Sequence, residues 1–411
     1  MQQKFKFIHL FSILFFAFIF SCTSKSVKAG LDRISENPEL FRGKNIGIVT
    51  NHTAYNSEGK HISDVFTGMN NVTVKALFGP EHGIRGNAPA GDHIKNSKSS
   101  DIPVYSLYGP TRKPTPEMLK DIDLLVFDIQ GIGARFYTYI YTMALAMEAA
   151  AEKGIPYVVL DRPNPINGIS VEGTILDTAF ATFVGLYPIP VRHGMTIGEL
   201  ATLFNEQHWL KNGIKANLHV IKMQGWQRNM WFDQTGLSFI NPSPNIPDIE
   251  TATLYPGLCL IEGVNVSEGR GTYTPFKLFG APWIDSDQLV QHLKALQLAG
   301  IDFKPAHFTP VSITEMATNP KYKDQACNGA EIAITNRDAF KPVYSGIKIV
   351  ETLYQLYPDS LRFLERHFDR LIGTADVRNA ILNKADDAEL KQLSERGVAD
   401  FMELRGKYLL Y

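Results

Sequence analysis

The chain has 411 residues, with 41 Lys+Arg against 42 Asp+Glu and a formal net charge of −1. That balance argues against nucleic acid or an anionic membrane surface as the main partner, since either usually needs a basic excess. A hydrophobic fraction of 44% with 11% aromatics excludes a disordered chain, and the length suggests two domains. Three cysteines without a close Cys/His cluster exclude a disulfide framework and a structural zinc site.

Lys4 and Lys6 precede an apolar run over 7–20, about the length of a signal-peptide core and too short to span a bilayer comfortably. The run ends at Phe20-Ser21-Cys22, which resembles a loose bacterial lipobox. It implies a leader over 1–22, cleavage before Cys22 and lipidation of that thiol. The plainer alternative is an ordinary signal peptide with an incidental cysteine. Either way the mature protein is expected outside the cytoplasm. With lipid on Cys22, it would be anchored in the periplasm or at the outer membrane of a bacterium, meeting the membrane through that anchor alone. Cys259 and Cys327 remain as candidates for a single disulfide, if the fold brings them together.

Apolar, β-branched runs at 45–50, 72–78, 124–127 and 156–160 predict strands. Between the last two, 139–153 is rich in Ala, Met and Leu and closes at Gly154, which predicts a helix with a glycine stop. This alternation argues for βαβ units, a mostly parallel sheet and an α/β fold class. Thr196-Ile-Gly-Glu199 is a capping box opening a helix to about Gln207. The pattern then changes. A Pro/Asn/Gly-rich stretch fills 236–280, and helices are predicted near 286–299, 345–357, 360–372 and beyond Asp386. Domains are therefore placed at 30–200 and 201–411.

Ligands of open parallel sheets bind beyond the carboxyl ends of the strands, and each predicted strand ends in polar residues. The first gives Asn51-His52-Thr53; the second gives Gly79-Pro80-Glu81-His82-Gly83 with Arg85 close behind. The third gives Asp128-Ile-Gln130, then Arg135-Phe-Tyr137; the fourth gives Asp161-Arg162-Pro163-Asn164. Glu81 reads either as a solvated turn carboxylate or as one presented at a fixed angle. Asp128 reads as a helix cap or a catalytic group, and Asp161-Arg162 as a structural ion pair or direct chemistry. Gly131 and Gly133 lack the third glycine of a dinucleotide loop, so a nicotinamide site is rejected.

Farther on come Asn241-Pro-Ser-Pro-Asn245 and Glu262-Gly-Val-Asn265-Val-Ser-Glu268-Gly-Arg270, proline turns and glycine-flanked charges suited to a loop near a ligand. No P-loop, His-Glu-x-x-His or Gly-x-Ser-x-Gly motif occurs. What remains is carboxylate chemistry with arginines and aromatics in an interdomain cleft, as glycoside hydrolysis requires. Neither a cofactor nor a metal is called for.

Taken in order, Thr50-Asn51-His52-Thr53, Gly79-Pro80-Glu81-His82-Gly83, Gly133-Ala-Arg135-Phe-Tyr137-Thr138-Tyr139, Asp161-Arg162-Pro163-Asn164-Pro165, Ser243-Pro-Asn245-Ile-Pro247 and Glu262 to Thr272 resemble the exo-β-N-acetylmuramidase (NamZ-like) family. The resemblance implies a Rossmann-like domain, a second α/β subdomain and a cleft between them. It also implies release of terminal N-acetylmuramic acid from the non-reducing end of peptidoglycan fragments, those saccharides being the partner. Glu81 matches the glutamate proposed as catalytic there. One departure is Asp128-Ile-Gln130-Gly131, where the family pattern would place a second acid at the glycine.

On this reading Glu81 is the general acid. The second group is Glu262 or Glu268, or the substrate's own acetamido oxygen. Residues expected to contact the sugar are Asn51, His82, Arg85, Asp128, Arg135, Tyr137, Asp161, Arg162, Asn245 and Arg270. A lactyl ether distinguishes muramic acid from glucosamine, so its carboxylate needs a cation, with Arg270, Arg135 and Arg162 as candidates. Tyr137 or Tyr139 is expected to stack on the ring or to pack in the core. Two other readings stay open: a lipid-anchored muropeptide-binding protein without chemistry, and an enzyme acting on another acidic sugar.

Overall fold

The computed structural model describes residues 26–88, 97–99 and 102–411, with only the backbone described at 97–99; the leader and Cys22 lie outside them. The strands are β1 (Asn45–Thr50), β2 (Thr73–Gly79), β3 (Ser97–Ser99), β4 (Ile102–Ser106), β5 (Leu124–Asp128), β6 (Tyr157–Leu160), β7 (Glu172–Ile175), β8 (Pro190–Arg192) and β9 (Leu218–Ile221) in the first part. β10 (Leu278–Ala281), β11 (Ile301–Phe308) and β12 (Cys327–Ile334) belong to the second. The large sheet has the order β3-β4-β2-β1-β5-β6-β9, parallel except for β3, which runs antiparallel to β4. Its six parallel strands, counted along the chain, follow the doubly wound order 3-2-1-4-5-6, which reverses between β1 and β5. β9 lies past residue 200, so the sheet extends beyond the division drawn from the sequence.

The helices are α1 (Ile62–Thr67), α2 (Tyr139–Lys153), α3 (Ile197–Glu206), α4 (Ile249–Leu258), α5 (Ser286–Ala295), α6 (Pro342–Leu356), α7 (Glu365–Ile372), α8 (Asp376–Leu382), α9 (Asp387–Glu395) and α10 (Val398–Gly406). β5 reads Leu-Leu-Val-Phe-Asp and is buried throughout, as a strand covered on both faces must be. α2 ends at Gly154, whose φ of 73° gives the left-handed cap expected of it. α3 opens with the reciprocal box, Thr196 Oγ1 accepting from Glu199 N and Glu199 Oε2 accepting from Thr196 N.

The second part is a three-stranded antiparallel sheet, β10-β12-β11, with helices against it. α4 lies inside the Pro/Asn/Gly-rich stretch that gave no helical signal, and it carries Pro256 within it. It forms because it packs on α6 at two glycines. A Cβ on Gly257 would lie 1.9 Å from Pro342 O, and one on Gly346 would lie 2.4 Å from Gly257 O. One core runs through both parts, from Phe127 and Met143 to Leu258 and Ile347. No helix among the described residues is long and apolar enough to cross a membrane. Cys259 and Cys327 are both buried and unbridged.

Candidate active site

A cavity of about 420 Å³ opens between the carboxyl end of the large sheet and the helices α4 and α7. Glu81 reaches it from the turn after β2, in which His82 (φ 67°) and Gly83 (φ 73°) are left-handed and Gly83 N donates to Pro80 O at 3.0 Å. That tight turn is what Gly-Pro-Glu-His-Gly encodes. The carboxyl is half-buried and accepts a 2.7 Å hydrogen bond at Oε2 from the hydroxyl of Thr138, the residue preceding α2. His82 Nδ1 lies 2.6 Å from Ala88 O, so the ring carries its proton there. Burial pushes this imidazole down against the opposing charge of Glu81, which favours the neutral ring.

The facing wall carries Glu262 in the short 3₁₀ turn Cys259–Gly263 after α4. Arg270 reaches Glu262 at 2.8 Å, and His367 Nε2 of α7 lies 3.8 Å away. Burial opposes charge on this carboxyl, but Arg270 and then His367 more than offset it and hold it at about 2. Glu262 is therefore a fixed anion at neutral pH. Arg270 also pairs with Glu268 at 3.4 Å and lies over the Phe276 ring. Behind them, Lys321 Nζ donates to the carbonyls of Ile261, Glu262, Val264 and Val266 and pairs with Glu268 at 3.2 Å. This lysine gathers the 261–268 segment around one cation.

Aromatic rings form the rest of the wall. Tyr137 and Phe136 both meet Tyr255 edge-on, and Tyr255 meets Phe276 at 4.9 Å. Asn245, 2% exposed, donates Nδ2 to Met316 O at 2.8 Å, while its Oδ1 has no hydrogen-bond partner among the described residues. An amide held that way presents an acceptor to a ligand.

Of the residues named from sequence, the structure brings Glu81, His82, Tyr137, Asn245, Glu262 and Arg270 onto this cavity. Others fall elsewhere. Arg135 is fully buried and spends its guanidinium on the carbonyls of Thr174, Ile189 and Leu371, so it props the end of α7 from behind. Asp161 accepts from Gly198 N, Arg162 N, Thr196 Oγ1 and Tyr411 Oη, tying β6 to α3 and the C-terminal residue. Asp128 and Arg162 form a bidentate buried pair. Arg162 lines a separate cavity of about 500 Å³ with Thr53 and Gln130, beside the β1/β5 reversal. Asn51 is buried and accepts from Thr53 at Oδ1, and Arg85 is exposed and off the lining. Glu268 sits behind Arg270, and Tyr139 packs in the core with its hydroxyl on Pro242 O. The disulfide, too, is corrected: a buried, protonated thiol at Cys259 lines the cavity instead.

Three basic lining residues went unread in the sequence. Arg112 follows β4 and stacks over Phe183 at 4.4 Å, while His367 and Arg370 occupy one face of α7. The i, i+3 spacing of the latter pair was visible, but which face of α7 meets the sheet end is set by packing alone.

The N-terminal domain of the exo-beta-N-acetylmuramidase NamZ family matches residues 46–250, and the C-terminal domain matches 253–411. The chain belongs to this family. It is 47% identical over 389 residues to the peptidoglycan beta-N-acetylmuramidase NamZ of Bacillus subtilis (strain 168), covering 94% of this chain and 91% of that one. Crystal structures of two DUF1343 family proteins from Bacteroides fragilis NCTC 9343 align with it over 94% of this chain and 99% of theirs. One has a TM-score of 0.86 at 37% identity, the other 0.76 at 33%. Both NamZ domains contribute to the cavity, Glu81 and Thr138 from the first and Glu262, Arg270 and His367 from the second. Gly131, where an acid was expected, is not on the lining.

Proposed function

We propose that the protein is an exo-acting glycosidase that releases terminal β-1,4-linked N-acetylmuramic acid from the non-reducing end of peptidoglycan fragments, in cell-wall turnover or recycling. The observation that carries this reading is a pair of carboxyl groups, Glu81 and Glu262, facing one cavity on different partners. Glu262 is ion-paired to Arg270 with His367 beside it, and Glu81, in the turn after β2, accepts from the Thr138 hydroxyl next to a histidine whose burial favours the neutral ring. With Glu262 held as the anion, the acid role falls to Glu81 across the cavity. Glu81 delivers its proton to the glycosidic oxygen as the bond to the anomeric carbon breaks. Glu262 stabilises the positive charge that develops on the sugar or orients the water that adds to it, and that water returns a proton to Glu81. Tyr137 and Tyr255 offer faces for the sugar's apolar side, and Asn245 Oδ1 an acceptor for its N–H or hydroxyl groups.

The kinship to a peptidoglycan beta-N-acetylmuramidase supports the substrate, and the exo mode rests on the family description. Incubation with the disaccharide N-acetylmuramyl-β-1,4-N-acetylglucosamine tests the proposal. Equimolar free muramic acid and glucosamine derivatives are expected. An intact disaccharide after prolonged incubation would refute it and leave a binding protein.

Export and lipid anchoring through Cys22 belong to the same proposal, supported by the leader pattern at 1–22. Detergent phase separation checks this part. Wild type should partition with detergent and Cys22→Ala with water; identical partitioning would remove the anchor.

A further inference from the structure

The cavity has to accept an anion while carrying two carboxyl groups on its own wall. Glu81 and Glu262 both face it, and Arg270, which also lines it, is already committed to Glu262 and Glu268. A further carboxylate brought against Glu262 would meet an anion whose cation is already paired. Arg135 and Arg162, the other cations suggested by sequence, are buried on protein partners. Among the described residues the reacting centre therefore offers no uncommitted arginine for a negatively charged substituent, which turns attention to the rim.

Two arginines stand on that rim. Arg112 extends from the first part and lies over the Phe183 ring at 4.4 Å. This stacking holds the guanidinium plane and leaves its in-plane N–H groups to a ligand. Arg370 projects from α7 of the second part, on the same face as His367 and Leu371. Among the described residues neither has a carboxylate partner, and both are exposed. The two side chains come from opposite domains, and the segment that carries Phe183 is tied to the end of α7. Thr174 Oγ1 donates to Ile372 O, Asp177 N donates to Gly373 O, and Arg135 donates to Leu371 O. The rim cations are thus held in register although their heads are solvated.

We propose that Arg112 and Arg370 receive the lactyl carboxylate of N-acetylmuramic acid and so determine the preference for muramyl over glucosaminyl ends. This rests on the muramidase reading above. A planar guanidinium binds a carboxylate through two parallel N–H···O bonds, and a pair of them closes on it from both sides. Arg270 is left to its own work, keeping Glu262 ionised.

The test separates binding from turnover. Dissociation constants of free N-acetylmuramic acid and of its lactyl methyl ester are measured by calorimetry on the full-length protein and on Arg112→Gln, Arg370→Gln and the double variant. Both residues are exposed, so the variants should fold, which circular dichroism checks. Wild type should bind the acid at least 10-fold more tightly than the ester. Each single variant should weaken the acid about 10-fold, and the double variant should bind acid and ester alike, with ester affinity unchanged throughout. Equal affinity of wild type for acid and ester would overturn the proposal, as would variants that weaken both equally. Because the readout is affinity, a protein that binds the acid through these arginines but cleaves no disaccharide would sink the enzymatic reading and leave this assignment standing.

Discussion

Removing Arg270 should unbalance the cavity wall by an amount that depends on pH. Glu262 is held at about 2, mainly by Arg270 working against burial. Relative to an ordinary glutamate near 4.3, that depression is worth about 3 kcal/mol of native stability. Because the folded value lies below the unfolded one, the contribution is fully present above about pH 4.5 and is lost as the pH falls toward 2. Arg270→Leu strips the partner from Glu262 and one partner from Glu268, and breaking a buried pair from one side costs about 3–5 kcal/mol. Urea unfolding followed by tryptophan fluorescence should show a loss of that size at pH 7, with a clearly smaller gap to wild type at pH 3. Glu262→Gln combined with Arg270→Leu should recover part of the loss, since the orphaned anion is gone. A gap that is the same at both pH values, with strictly additive single losses, would refute the electrostatic account of this wall.

Gly257→Ala should destabilise by at least about 1–3 kcal/mol, because its methyl would meet the Pro342 carbonyl backbone of α6 rather than a movable side chain; an unchanged urea midpoint would show that α4 and α6 can separate without cost. Burial pushes Asp161 up to about 7. Its folded value lies above the unfolded one, so through this group the native state loses stability as the pH rises from about 4 to 7. Asp161→Asn lacks that slope, and its deficit relative to wild type should shrink between pH 5 and pH 8; a constant deficit in urea midpoints would contradict the assignment.

Much of the first part was readable because its signals are local. β5 is a continuous apolar run, Gly154 is a stop, and Thr196-Ile-Gly-Glu199 satisfies its own helix end. β9 escaped because Leu-His-Val-Ile is short and only partly buried, so pairing with β6 makes it a strand more than composition does. α4 escaped because its stability comes from a glycine contact with α6, about 90 residues away, and Pro256 argues locally against it.

The site divides the same way. Glu81 was legible because its turn chemistry is written in five consecutive residues, and Glu262 and Arg270 because they lie in one glycine-rich loop. Polar residues at strand ends were over-read. Asp161, Asp128, Arg162 and Arg135 stand where ligands bind in open sheets, but their partners are backbone groups, one another and, for Asp161, the hydroxyls of Thr196 and Tyr411. A strand end needs its carbonyls and amides satisfied before it needs a substrate. Arg112, His367 and Arg370 were invisible because only the docking of the two parts brings them together.

The most direct test is the turnover of a chromogenic β-N-acetylmuraminide by wild type and by Glu81→Gln. Loss of a general acid costs about 10²–10⁴-fold, so kcat should fall by that factor. The isosteric glutamine can still meet Thr138, so stability should change little. Near-wild-type kcat in a folded Glu81→Gln variant would contradict the claim that Glu81 supplies the proton.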